Sequence, residues 1–226
     1  KEIVVVSIMP CSAKKSEAAR EEFVTDGSPD VDIVLATVGL AEMIYESGIV
    51  FKELEAEALD MPFGIYTGAG LIFGVTGGVA EAVIRKVMKD KSHAKINNLK
   101  FSGVRGMDGI KELELPLEDG KTVLKMAVVS GLGNAEKLIQ RMKAGEASYD
   151  FVEVMACPGG CVGGAGQPFG LRDKKLLRAD AIYAADKQTQ LRHPDENPVI
   201  PSLYQGVLKG RNHELLHVHY NKRGLR

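Results

Sequence analysis

The chain has 226 residues, 45% of them hydrophobic, and a formal net charge of −1 at pH 7. That apolar content suffices for one large α/β domain or two small lobes with a real core. The scatter of Lys and Arg gives a nucleic-acid or membrane-surface partner no electrostatic support. No apolar run approaches the roughly 20 residues that cross a bilayer, and no signal segment opens the chain, so a soluble, cytoplasmic protein is expected. Three cysteines are too few and too oddly spaced for a disulfide framework and read as ligands or a nucleophile. Lys1 leads directly into Ile3-Val4-Val5-Val6 with no capping element before it, which suggests a chain that begins inside a larger domain.

In chain order, apolar runs alternate with amphipathic segments, the pattern of α/β units around a mostly parallel sheet flanked by helices. Ile3 to Ile8 reads as a buried strand, Ala13 to Phe23 as a charged helix, Val31 to Ala36 as a second strand and Leu40 to Ser47 as a short helix. A Gly-rich stretch from Gly64 to Gly78 precedes a helix from Val79 to Lys91. Strands follow near Leu99 to Val104 and Thr122 to Val129, then a helix from Asn134 to Lys143. The last strand, Phe151 to Ala156, runs into the loop Cys157 to Gly170, and the Pro-bearing tail, residues 191–226, is expected to wrap the surface.

The strongest local signal is Glu153-Val154-Met155-Ala156-Cys157-Pro158-Gly159-Gly160-Cys161-Val162-Gly163-Gly164-Ala165-Gly166-Gln167-Pro168. Strand alternation places Glu153, Met155 and Cys157 on one face, and Val152 and Val154 on the other, which is assigned to the core. The Gly-rich loop lets backbone approach a bulky group and frees amides for sulfide or anionic ligands. Two thiolates in such a loop suit an iron-sulfur cluster. A structural zinc site, which usually wants a second pair of ligands, and two buried cysteines are the alternatives.

Met9-Pro10-Cys11-Ser12-Ala13-Lys14-Lys15-Ser16-Glu17 forms the second signal, at the exit of the first strand. Ligands of open α/β sheets gather at strand carboxyl ends, where Cys11 and Cys157 both fall. Lys14, about one helical turn beyond Cys11, could direct an ammonium at an anionic ligand, and Glu17 could relay protons. The plainer reading of both is a solvated helix face with opposite charges one turn apart.

These two segments resemble the second and third signature motifs of the iron-only hydrogenase family. So do Phe73-Gly74-Val75-Thr76-Gly77-Gly78-Val79-Ala80-Glu81-Ala82, Val104-Arg105-Gly106 and the run from Glu196-Asn197-Pro198 through His217. The resemblance implies the C-terminal part of a catalytic domain, one lobe of two. It implies an H-cluster, a four-iron cluster joined through a cysteine to a two-iron unit carrying carbon monoxide, cyanide and a bridging dithiolate. Cys11, Cys157 and Cys161 would be metal ligands, with Cys161 bridging to the two-iron unit. Lys14 would hydrogen-bond a cyanide, and Glu17 would belong to a proton path. Pro10 and Gly74 would offer backbone contacts, while Met9, Phe73 and Met155 would pack around the two-iron unit. The activity implied is reversible oxidation of molecular hydrogen to protons and electrons, with ferredoxin or another redox subunit as partner.

A four-iron cluster normally has four cysteine ligands, so the fourth is expected from an upstream part of the domain or a second chain. Gly164-Ala165-Gly166 and Val38-Gly39 depart from the family pattern and point to a divergent subgroup. Related non-enzymatic readings are an iron-sulfur assembly factor and a hydrogen sensor; a hydratase-like cluster with one open iron is a further three-cysteine possibility. His213-Glu214-Leu215-Leu216-His217 matches a zinc-protease pattern but is read as a packed C-terminal segment. Gly131-Leu132-Gly133 is read as a strand-to-helix turn rather than a dinucleotide loop.

Overall fold

The computed structural model describes residues 3–61, 63–88, 95, 103–107, 109–117, 121–170 and 172–219. Two units emerge: one of Lys1–Pro62, Ala165–Pro168 and Pro198–Arg226, the other of Phe63–Gly164 and Phe169–Asn197.

In the first unit, strand β1 (Val6–Met9) is followed by helix α1 (Ala13–Ala18). The helix is shorter than expected, because the chain turns through a 3-10 segment at Glu21–Phe23 into a hairpin of β2 (Val24–Thr25) and β3 (Ser28–Pro29). Asp26 and Gly27 form the two-residue turn with φ of 50° and 75°, the left-handed pair a tight hairpin requires. Strand β4 (Ile33–Ala36) then pairs in parallel with β1, Met9 opposite Ala36, and leads into α2 (Thr37–Glu46). The proline-rich tail forms the short helices Val199–Gln205 and Asn212–Leu216.

In the second unit, helix α3 (Gly78–Val87) precedes β5 (Ile110–Pro116), β6 (Val123–Ser130), α4 (Leu132–Lys143), β7 (Phe151–Met155) and α5 (Arg172–Gln188). The sheet runs β5-β6-β7, with β5 antiparallel and β7 parallel to β6. The sheet is therefore mixed, and the parallel expectation holds only in part. Strand β6 is central because both its faces are apolar. Met126 and Val128 pack with Ala80, Ile84, Met88 and Val104, while Ala127 and Val129 pack with Ala135 and Leu138 of α4. Alternating residues thus bury against helices on opposite faces of one strand, the α/β arrangement, at about 1.5–3 kcal/mol for each large apolar side chain fully buried.

The helix expected to Lys91 ends at Val87; residues 89–91 lie outside the described residues, as do residues 99–102 of the strand expected at Leu99 to Val104. Strand β5 and helix α5 were not anticipated. Gly131, with φ of 88°, turns β6 directly into α4, so the Gly131-Leu132-Gly133 run is the strand-to-helix turn the sequence implied.

Candidate functional site

The Cys157–Cys161 loop grows from the carboxyl end of β7 and is tied down by its own glycines. Gly160 N–H donates to Cys157 O at 2.9 Å, Gly163 N–H to Gly160 O at 3.0 Å and Gly164 N–H to Cys161 O at 2.9 Å. Its outer anchors are Gly159 N–H to Ser130 Oγ at 3.1 Å and Thr76 N–H to Gly159 O at 3.2 Å. Gly160 has φ of +89°, and a Cβ there would lie 2.7 Å from Thr76 N and 2.9 Å from Gly74 O. Glycine is therefore required both for the conformation and for the close backbone approach. Through that contact the 73–78 segment and the cysteine loop lie together. Phe73 is half exposed, while Gly74, Met155 and Cys157 are half-buried and Cys161 is exposed.

The strand preceding this loop does not face as alternation implied. Glu153 is 4% exposed, whereas Val154, assigned to the core, is 47% exposed. The physical reason is the start of α3. Gly77 N–H donates to Glu153 Oε1 at 2.6 Å and Ala80 N–H to Oε2 at 2.7 Å. A helix begins with amides that lack intrahelical partners and carries partial positive charge, and a buried carboxylate answers both.

In the first unit, Met9, Pro10 and Cys11, all half-buried, end β1. Gly166 rests on them: its N–H donates to Pro10 O at 3.1 Å, its O accepts from Val38 N–H at 2.9 Å, and a Cβ on it would lie 2.8 Å from Cys11 N. Lys14 and Glu17 form an ion pair one turn apart on α1, both partly exposed. That pairing matches the plainer reading of this helix face.

None of the three cysteines is in a disulfide. The structure thus brings Phe73, Gly74, Met155, Cys157 and Cys161 to one part of the second unit, and Met9, Pro10, Cys11, Lys14 and Glu17 to one part of the first. Among the described residues no three His, Cys, Asp or Glu side chains form a group able to hold a metal ion. The donor chemistry of the Cys157–Cys161 loop nonetheless fits an iron-sulfur group in part, since thiols are the soft donors such a group takes and the glycines around them leave room for it. Beside the loop, Thr76 Oγ1 is buried with no hydrogen-bond partner among the described residues, a polar atom left for a bound group to meet. The His213 and His217 rings meet edge to face at 4.6 Å and Glu214 is paired with Arg211, but among the described residues no group of three ligating side chains forms around them.

A buried ionic network in the second unit escaped the sequence reading. Arg85, 0% exposed, donates through Nη1 and Nη2 to Asp186 at 2.7 and 2.8 Å, and through Nη2 to Glu81 at 2.6 Å. Arg105 forks onto Glu81 at 2.7 and 2.8 Å and lies 4.1 Å from the ring centroid of Tyr183. Arg192 Nη2 reaches Asp186 Oδ2 at 2.8 Å, and Arg192 O accepts from Arg85 at 3.0 Å. His193 Nδ1 sits 2.8 Å from Arg85 O; since a carbonyl only accepts, this nitrogen carries the hydrogen. Glu81 and Arg85 are spaced as a surface i,i+4 pair, the one signal of the network in the sequence. Residues 192 and 193 are therefore core rather than surface at the start of the tail.

The family described as iron only hydrogenase large subunit, C-terminal domain, matches residues 1–165, and iron hydrogenase small subunit matches residues 172–223. The NADP-reducing hydrogenase subunit HndD of Solidesulfovibrio fructosivorans is 46% identical over 98% of this chain and 38% of its own length. Iron hydrogenase 1 of Clostridium pasteurianum is 39% identical over 98% of this chain and 40% of its own. Protein NAR1 of Arabidopsis thaliana is 37% identical over 97% of this chain and 50% of its own. Among solved structures, a variant of the FeFe-hydrogenase HydA1 from Chlamydomonas reinhardtii superposes with a TM-score of 0.76 at 40% identity, over 100% of this chain and 64% of that one. The chain spans about two fifths of the length of the hydrogenase relatives it matches. No helix among the described residues is long and apolar enough to cross a membrane. On the match over residues 1–165 and these identities, the chain belongs to the iron-only hydrogenase family.

Proposed function

We propose that this chain is the C-terminal part of the catalytic domain of an iron-only hydrogenase, residues 1–226, acting in reversible oxidation of molecular hydrogen to protons and electrons. The observation that carries the reading is the seating of Gly160 on the Gly74–Thr76 backbone, which joins the cysteine loop to the 73–78 motif. When bound, an H-cluster would supply the hydrogen chemistry, its four-iron part passing electrons to ferredoxin or another redox subunit.

In this reading Cys11, Cys157 and Cys161 are thiolate ligands, and a fourth ligand comes from the remaining part of the domain or a second chain. The half-exposed apolar residues Val6, Ile8 and Ile33 of β1 and β4 are consistent with such a partner, because parallel strands are normally covered on both faces. The half-buried Met9 and Met155, with Phe73, keep water from the two-iron unit, and in a water-poor setting each remaining polar contact strengthens. Pro10 and Gly74 lend backbone. Lys14 offers an ammonium to a cyanide, and Glu17, its ion-pair partner, holds a proton at its carboxylate on the way to solvent. A cytoplasmic setting belongs to the same proposal.

A 34% identity over 95% of this chain to a probable cytosolic Fe-S cluster assembly factor of Drosophila willistoni supports a second reading, an iron-sulfur protein without turnover. Infrared spectroscopy of the full-length parent, reconstituted without oxygen with iron, sulfide and a synthetic two-iron complex, separates the two. Carbon monoxide and cyanide bands with hydrogen evolution from a reduced dye support the hydrogenase, and bands with negligible turnover indicate a sensor. A well-formed four-iron cluster with no such bands overturns the proposal in favour of an assembly factor.

A further inference from the structure

The first helix of the stretch that matches the small-subunit family lies against the cysteine loop. Helix α5 passes beneath it: Arg178 Nη1 donates to Val162 O at 3.2 Å, and Ala179 joins Val75 and Val162 in a buried cluster flanked by Ile182 and Tyr183. A Cβ on Gly163 would lie 3.2 Å from the Lys175 stem, and one on Gly74 would lie 3.1 Å from Ile182 Cδ1. The helix therefore touches both the loop and the segment that the loop rests on.

What holds α5 there is the buried ionic network. Asp186, near the end of α5, receives both Nη groups of Arg85 from α3 and Nη2 of Arg192 from the turn that follows. Glu196 closes that turn, its Oε2 accepting from Arg192 N–H at 2.6 Å and His193 N–H at 2.8 Å. A Cβ on Gly68 would lie 2.0 Å from Asp186 Oδ1, so the surrounding backbone is fitted tightly around this carboxylate. Removing one partner from such a group leaves buried charge uncompensated, which makes the contact a latch rather than a surface decoration.

We infer that residues 172–197 are a positioning element for the Cys157–Cys161 loop: α5 is its floor, Arg178 its direct tether, and Arg85–Asp186–Arg192 the latch that keeps the floor in place. The inference rests on the reading of that loop as ligand-bearing, but its test does not use the cluster. Hydrogen exchange is followed by mass spectrometry on the metal-free chain at the amides of Gly159, Gly160, Gly163 and Gly164, with β5–β6–β7 as internal reference.

Asp186→Asn should speed exchange at those four amides and across 172–190 by about tenfold or more while the sheet keeps its protection. Arg178→Gln should speed the four loop amides and leave 172–190 unchanged, a separation that a merely structural role for α5 would not produce. Release of 172–190 with unchanged loop amides overturns the inference, as does an Asp186→Asn variant unchanged in both regions. If Asp186→Asn also strips protection from the sheet, Arg178→Gln decides: loop amides at the wild-type rate overturn the tether. Failure here leaves the hydrogenase reading intact, and failure of the infrared test leaves this one intact.

Discussion

Replacing Glu153 by Gln tests whether a buried carboxylate organises the start of α3 and, four residues on, the cysteine loop. The wild-type carboxylate accepts from Gly77 and Ala80 amides at 2.6 and 2.7 Å. The amide side chain keeps one acceptor and turns an NH2 toward the other N–H. One charge-assisted hydrogen bond of about 1.5–3 kcal/mol disappears, and the favourable interaction with the helix dipole, up to about 2 kcal/mol in partly buried sites, goes with the charge. These terms overlap, so the expected loss is about 3 kcal/mol. For a chain of this size that corresponds to a midpoint about 6–12 °C lower. The chain has no Trp, so far-UV circular dichroism during heating is the natural probe. Glu153→Ala, which leaves both amides without an acceptor, should lose more than Glu153→Gln. A Gln variant within about 0.5 kcal/mol of wild type would refute the reasoning, because a surface substitution behaves that way and a buried cap does not.

Three further outcomes follow from the same geometry. Burial would raise the Asp186 carboxyl, but hydrogen bonds and charge from Arg85 and Arg192 outweigh it and hold the group below the ordinary aspartate range. Its stabilisation is thus present above the usual aspartate pKa of 3.8 and lost as pH falls through the lower folded value. Urea titrations should show this acid loss in wild type and a smaller one in Asp186→Asn. Lys111 Nζ donates to Val104 O at 2.7 Å and Gly106 O at 2.8 Å, and burial, opposed by Glu153, lowers its pKa to about 8. The unfolded chain therefore binds the extra proton between about 8 and the ordinary lysine value of 10.5, so this group makes stability rise with pH across that window, and NMR of its ε-methylene should titrate near 8. Gly160→Ala should cut iron uptake on reconstitution several-fold, because its Cβ would press to 2.7 Å on Thr76 N in a left-handed backbone; uptake equal to wild type would show the loop free to shift.

The proposed ligand-bearing segments were legible because each is a local run of sequence. Met9-Pro10-Cys11 and the Cys157-Pro158-Gly159-Gly160-Cys161 run with its following glycines are each contiguous in sequence, and a close backbone approach such as that of Gly160 needs a small residue wherever it is built. The apolar runs of β1, β4, β6 and β7 and the amphipathic period of α4 were likewise visible, since each records a burial pattern along a single element. The Asp26-Gly27 dipeptide is a hairpin signal that falls between the helix expected to Phe23 and the strand expected from Val31. Strand β5 was hidden by its charges: Lys111, Glu112 and Glu114 interrupt the apolar residues that pair with β6.

Composition and short-range pattern were enough to set the α/β class, the thiols and the glycine turns, because each depends on a residue and its immediate neighbours along the chain. The burial of Glu153 depended on the amide of Gly77, 76 positions earlier at the entry to a helix, and strand alternation alone assigned it to the wrong surroundings. Arg85, Asp186 and Arg192 read as ordinary charged residues until folding placed Asp186 against Arg85, 101 positions away. Only tertiary structure could decide these, since a buried charge is tolerable solely where a distant partner meets it.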